Sequence, residues 1–328
     1  MLAVSWHAIR GRILTPSSSA TKLAKRGFYV KSPAARDLLE TVGGMFMKGY
    51  SFAVRARTIA EAEEGLEQLP PPFKGFAYEG AGMGFAMRDG LPLGGRWMSA
   101  FLSGRGVEHI YMVYVGAGWA MARLPRLRWA KATTGMPDPV LRWLALDGYG
   151  FHQAYFRTDK YVHRHYQERD FPWPGEGPAW YADRVIDQGI GRATWFVCGS
   201  EPGRVADTLD AFPEARRPDL YSGAGLAATY AGGVTEAELL LFRERGKAYL
   251  PHIAQASAFA AAARVQTGLV TAHTELATQV LCGTTPEQVS RICLESKPDP
   301  SAGGDVPAFE IWRQRIADSI TSLQGTNT

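Results

Sequence analysis

Cysteine is scarce in this chain. Its 328 residues hold only three, Cys198, Cys282 and Cys293, odd in number and far apart. That excludes a disulfide framework and favours a reducing compartment, so a cytoplasmic protein is expected. Long apolar runs are missing too. No stretch of about 18 apolar residues exists to span a bilayer, and no apolar segment of the secretory kind follows the basic start. Charge is modest, 36 Lys plus Arg against 32 Asp plus Glu, a net +4, which gives no reason to expect nucleic acid as a partner. The first 31 positions lack acids altogether and carry Arg10, Arg12, Lys22, Lys25, Arg26 and Lys31. This basic arm reads as a solvated terminus. There is no phosphate-binding P-loop, no G-x-S-x-G and no haem attachment sequence. His163 and His165, with Glu168 and Asp170, lack a recognised zinc spacing, so no metal site is expected.

What is abundant is glycine, 36 residues or about 11% against a usual ~7%. Five pairs stand in similar surroundings: Gly80/Gly82, Gly116/Gly118, Gly148/Gly150, Gly189/Gly191 and Gly223/Gly225, with a sixth copy at Ala256/Ala258. The first members are 36, 32, 41, 34 and 33 residues apart, which are helical-repeat periods. A single such turn is a nucleotide-binding candidate, and Ile110–Val115 before Gly116 even looks like the strand that motif requires. Its recurrence points instead to packing. Small residues four apart, as in Gly116/Ala120 and Gly223/Ala227, form one row on a helix, and Gly118/Ala122 and Ala258/Ala262 form a second. Two residues along a helix turn it by ~200°, so the rows lie on opposite sides. An interior Gly costs ~1 kcal/mol against Ala unless close packing offsets it. A helix with a neighbour before it and another after it meets that condition.

The expected fold is therefore mainly α, a stacked α/α array of about six helix pairs. Residues 1–31 form the arm, 32–320 a single helical-repeat domain and 321–328 a tail. The Gly-rich inner helices are expected near 79–88, 115–123, 147–156, 187–196, 222–230 and 255–264, with a C-terminal cap that includes Phe309–Ile320. Ser32-Pro33, Thr58-x-x-Glu61, Thr235-x-x-Glu238 and Thr285-Pro286-x-Gln288 read as helix starts.

Positions that break the repeat are candidate sites. His152 stands where the other copies have Gly or Ala, and Trp195 and Thr229 break the second row. A titratable ring in a small-residue row is either a hydrogen-bonded core histidine or a site residue. The residue before each first small position is Glu79, Val115, Asp147, Gln188, Ser222 and Gln255, polar in five of six copies. A row of Glu79, Asp147 and Gln188, with Asp187 and Arg192 nearby, suits acid/base work in an interior groove; it equally suits inter-repeat hydrogen bonding. Tyr78, Tyr114, Tyr149, Tyr155 and Tyr221 accompany the row and suit a flat or elongated apolar ligand, although aromatics at helical spacing also serve as core. The catalytic candidates are His152, Glu79, Asp147 and Asp187. The binding candidates are Tyr78, Tyr114, Tyr149, Gln188, Arg192 and Trp195. No cofactor is identified by any motif.

Several segments resemble a known family. Arg26-Gly27-Phe28 with Lys31-Ser32-Pro33-Ala34-Ala35-Arg36, Phe76-Ala77-Tyr78-Glu79-Gly80-Ala81, Val115 to Pro125, Asp147 to Gln153, Ile186 to Arg192 and Trp312-Arg313-Gln314-Arg315-Ile316 are similar to the UnbL proteins. These accompany the iterative polyketide synthases that make enediyne antibiotics, and their biochemical function is unassigned. The resemblance implies a part in converting a linear polyene into the enediyne core, and so a long conjugated polyene as ligand. It carries no catalytic residues over. Two roles stay open: an accessory enzyme working on the polyene, or a non-catalytic scaffold or polyene chaperone that holds the product or the neighbouring pathway enzymes.

Overall fold

A computed structural model describes residues 18–92 and 94–326. Among the described residues the regular structure is helical throughout, with no strand. The helices are α1 (Pro33–Arg55), α2 (Ile59–Glu67), α3 (Lys74–Gly90), α4 (Trp97–Leu102), α5 (Ile110–Met121), α6 (Trp129–Thr133), α7 (Leu144–Phe156), α8 (Ala182–Val197), α9 (Pro202–Asp210), α10 (Arg217–Tyr230), α11 (Glu236–Arg245), α12 (Leu250–Gln266), α13 (Ala272–Cys282), α14 (Pro286–Ser296) and α15 (Ala308–Thr326).

They form two layers. The inner helices α1, α3, α5, α7, α8, α10, α12 and α14 each pack on the next. The shorter α2, α4, α6, α9, α11 and α13 lie outside them. Between α7 and α8 the outer position is taken by a π-helical turn, Asp159–His163, and the Pro-rich loop around Phe171–Pro178. Ile110–Val115 belongs to α5, so the strand reading of that stretch does not hold. The inner helices start earlier than expected, because one-turn 3-10 segments after Pro70, Pro178 and Pro213 lead directly into α3, α8 and α10. The ends differ as well. Leu23–Arg26 forms a helical turn with Leu23 fully buried, and Lys31 Nζ donates to the Gly233 carbonyl at 2.7 Å, so the arm from Ser18 onward is part of the fold. Its first 17 positions lie outside the described residues. The expected tail continues α15 as far as Thr326.

The helix starts form as the sequence implies. Ser32, Thr58 and Thr285 accept from the backbone N–H three residues on, and Thr235 with Glu238 closes a full capping box.

The glycines set the spacing of the inner layer. A Cβ on Gly80, Gly116, Gly148, Gly189 or Gly223 would lie 1.8–2.0 Å from a carbonyl oxygen of the preceding inner helix, namely that of Phe46, Glu79, Val115, Asp147 or Gln188. A Cβ on the second member meets the following helix instead: Gly82 the Val113 carbonyl oxygen at 2.5 Å, Gly118 that of Ala145 at 1.8 Å, and Gly191 that of Leu220 at 1.9 Å. Backbone therefore approaches backbone from both flanks, which only residues without Cβ permit. The register also extends one helix upstream of the sequence repeat: in α1, Gly49 faces the Ala77 carbonyl oxygen at 1.8 Å, with Met47 in the first small position.

The stack curls on itself. Tyr29 N–H donates to the Val197 carbonyl at 3.0 Å and Arg264 Nη1 to the Pro72 carbonyl at 2.8 Å, and the Phe76 and Tyr230 rings meet edge to face at 5.0 Å. Inner helices far apart in sequence thus face one another around a common axis.

Candidate functional site

One face of each inner helix looks onto that axis. It holds the residues four before, one before, three after and seven after the first small position, steps of three and four that keep side chains on one stripe. Phe46 of α1, Phe76 and Glu79 of α3, Met112 and Trp119 of α5, Phe151 and Tyr155 of α7, Arg192 and Phe196 of α8, and Leu226 and Tyr230 of α10 line a central chamber. Its volume is about 50 Å³, room for a few atoms. Beside it an open groove of about 950 Å³ runs between the start of α1, the Pro72–Phe73 turn, the Ala231–Thr235 segment and the start of α13. Phe76, Tyr230 and Ala231 line both, so the aromatic pair separates groove from chamber.

The chamber carries one buried charged cluster. Arg192 Nη1 lies 3.4 Å from Glu79 Oε1 and Nη2 lies 2.6 Å from Asp147 Oδ1, while the Trp119 Nε1–H donates to Glu79 at 3.0 Å. The guanidinium also sits over the Phe151 ring at 4.5 Å. Two carboxylates thus share one cation. Burial raises the pKa of both acids, and the neighbouring Asp147 pushes Glu79 further in the same direction against the pull of Arg192. The arrangement makes each acid easier to protonate than a free carboxylate.

A second polar cluster on the same axis is balanced. Arg313 of α15 reaches Asp219 at 2.9 Å, Glu310 at 2.8 Å, Gln255 at 3.0 Å and the Ser222 hydroxyl at 3.2 Å. Arg184 pairs with the same two acids. Burial raises the Asp219 and Glu310 carboxyls, but Arg313 and Arg184 outweigh it and hold both below the usual range. Two cations for two acids make a structural lock that seats the C-terminal helix.

The expected site residues divide accordingly. Glu79 and Arg192 line the chamber, and Asp147 joins them through Arg192. Gln188 does not: its amide donates to Asp219 at 3.0 Å, within the Arg313 cluster. Asp187 faces the outer layer in a bidentate pair with Arg216, at 2.9 and 2.6 Å, and burial lifts its pKa to about 6 despite that partner. Tyr78, Tyr114 and Tyr149 also face outward. Tyr78 donates to Glu67 at 2.7 Å and stacks on His109, the Tyr114 hydroxyl accepts from the Asp138 N–H at 2.9 Å, and Tyr149 packs on Trp129 and Phe171. Trp195 is fully buried and donates to the Gly232 carbonyl at 2.9 Å. His152 stands behind the chamber wall, with its ring 5.6 Å from Trp119 and 4.7 Å from Phe156. Burial, helped by Arg123 and Arg157, lowers its pKa to about 3, so it is a neutral imidazole packed among aromatics.

Tyr155, one of the tyrosines singled out in the sequence, lines the chamber, whereas Phe46, Phe76, Trp119, Phe151, Phe196 and Tyr230 are chamber residues that the sequence reading missed. The signal was available: counting on by fours from the position before each first glycine reaches Trp119, Phe151, Phe196 and Tyr230. Among the described residues no group of three His, Cys, Asp or Glu side chains is placed to hold a metal ion, and no helix is long and apolar enough to cross a membrane.

Residues 5–320 match the family described as "Protein of unknown function (DUF1702)", and the chain belongs to that family. No curated protein and no solved structure matches it.

Proposed function

We propose that this member of the family is an accessory protein of enediyne biosynthesis, one that binds the linear polyene released by an iterative polyketide synthase. The resemblance of its motifs to the UnbL proteins supplies the pathway. The observation that carries the binding role is the aromatic chamber, parted by the Phe76 and Tyr230 rings from a groove of about 950 Å³. That volume lies at the upper end of small-molecule sites, and the Phe73, Phe76 and Tyr230 rings along the groove suit a flat conjugated chain.

Binding and positioning are favoured over a multi-residue catalytic centre. Of the four acid/base candidates, only Glu79 and Asp147 come together, across Arg192, whereas His152 and Asp187 make separate contacts elsewhere. The protein would shield a reactive polyene from water and present it to a partner enzyme. Co-expression with such a synthase tests this: the purified chain should carry the visible absorption of the polyene at one equivalent. Protein that emerges colourless from cells making polyene would refute the binding role.

A further inference from the structure

Arg192 is only 7% exposed and lines the chamber, yet neither its Nε nor its Nη2 makes a hydrogen bond, and Asp147 Oδ1 beside Nη2 makes none either. Nη1 donates to Glu79 at 3.4 Å and Nη2 lies within ion-pair distance of Asp147, so charge holds the guanidinium between the two acids. A buried guanidinium N–H without an acceptor is costly. It belongs to a side chain that lines the chamber.

The two volumes say how much of a ligand could reach it. The chamber's 50 Å³ accepts a terminal group and little more, while the adjoining groove of about 950 Å³ takes a long body. The charge count says what that terminal group is. Glu79 and Asp147 already compete for Arg192, and an anionic head would make a third acid on one cation. A neutral oxygen adds no charge and supplies the missing acceptor.

We propose that Arg192 is the head-group site of the chamber, its Nε–H donating to the terminal oxygen of a neutral, extended, apolar ligand whose chain runs past Phe76 and Tyr230 into the groove. This rests on the ligand-binding reading above and narrows it to one ligand class. A ligand with a carbonyl or hydroxyl end fits, whereas a fatty-acid-like carboxylate does not. Trp119, hydrogen-bonded to Glu79, stands beside the head group and serves as its reporter.

Three probes with one conjugated chain and different ends provide the test: all-trans retinol, all-trans retinoate and axerophthene, the hydrocarbon without the oxygen. Each is titrated into the full chain and into W119F, and tryptophan quenching is followed. Retinol should quench Trp119 saturably and bind about tenfold tighter than either of the others, the usual scale for one hydrogen bond to a charged group. R192K keeps a cation between the two acids and removes Nε. It should fold as the parent does and bind retinol no better than axerophthene. Retinoate binding as tightly as retinol, or a preference for retinol that survives in R192K, would overturn the head-group site while leaving chain binding in place. Absence of Trp119 quenching by all three would overturn the extended-ligand reading as well.

Discussion

Replacing Gly118 by Ala isolates the contact on which the inner layer depends. The new Cβ would lie 1.8 Å from the Ala145 carbonyl oxygen and 2.6 Å from the Tyr149 nitrogen, where ordinary contact begins at 3.4 Å. The α5–α7 separation must therefore open by roughly 1.6 Å (3.4 − 1.8) at this point. Both colliding atoms are backbone, so no rotamer change relieves them. Overpacking of even a side-chain core costs about 1–3 kcal/mol, and the gain in helix propensity returns only ~1 kcal/mol. A net loss of at least about 2 kcal/mol follows, near the upper end of that range because the clash is rigid. Urea unfolding followed by far-UV circular dichroism reads this as a lower midpoint at unchanged slope. Gly82→Ala and Gly225→Ala, with closest approaches of 2.5 and 2.9 Å, should cost progressively less. Gly44 is the control. It lies within α1 with nothing within 4 Å of its Cβ position, so Gly44→Ala should stabilise by up to ~1 kcal/mol. A Gly118→Ala protein as stable as the parent would refute the close-packing explanation of the glycine excess.

Other substitutions separate structural from binding roles. His152 is neutral when folded because its pKa is lowered to about 3 from 6.5, so it contributes stability that is present above the unfolded value and lost as pH falls through the folded one. His152→Gln should remove up to ~5 kcal/mol of acid sensitivity, seen as a shallower fall of the urea midpoint between neutral and acidic pH; an identical fall would contradict the assignment. Arg313→Ala leaves Asp219 and Glu310 with Arg184 as their remaining cation and should cost about 3–5 kcal/mol, with faster hydrogen exchange concentrated in α15. Exchange unchanged in α15 would show that the Arg313 cluster does not seat it. Tyr78→Phe removes the hydroxyl bonded to Glu67 and should cost about 1–2 kcal/mol, while polyene binding stays as in the parent. Weaker binding at preserved stability would restore Tyr78 to the ligand site.

The inner layer could be read from the sequence because its constraint is local. A backbone carbonyl less than 3 Å from a Cβ position demands Gly at a fixed place in α3, α5, α7, α8 and α10, and a repeated demand leaves a countable mark. The first inner helix escaped because Met47 occupies its first small position and only Gly49 keeps the pattern. The tyrosines were misassigned by a single step. Tyr78, Tyr114 and Tyr221 precede the axial position by one residue, a turn of ~100°, which aims them at the outer helices, where each hydroxyl finds a partner. The chamber wall was harder to see because its stripe mixes Trp, Phe, Arg and Leu, so position and not composition defines it. Arg313 left no local signal at all: it enters the axial row from 58 residues beyond Gln255, and only the fold brings the two together.

The most direct measurement is a fluorescence titration of the full chain with the linear polyene released by an iterative enediyne synthase, run beside W119F. Saturable quenching at one polyene per chain, largely lost in W119F, is the expected result, because the chain end would stop beside Trp119 with its body in the groove. Quenching that is unsaturable, or equally strong without Trp119, would place the polyene elsewhere and contradict the chamber as its site.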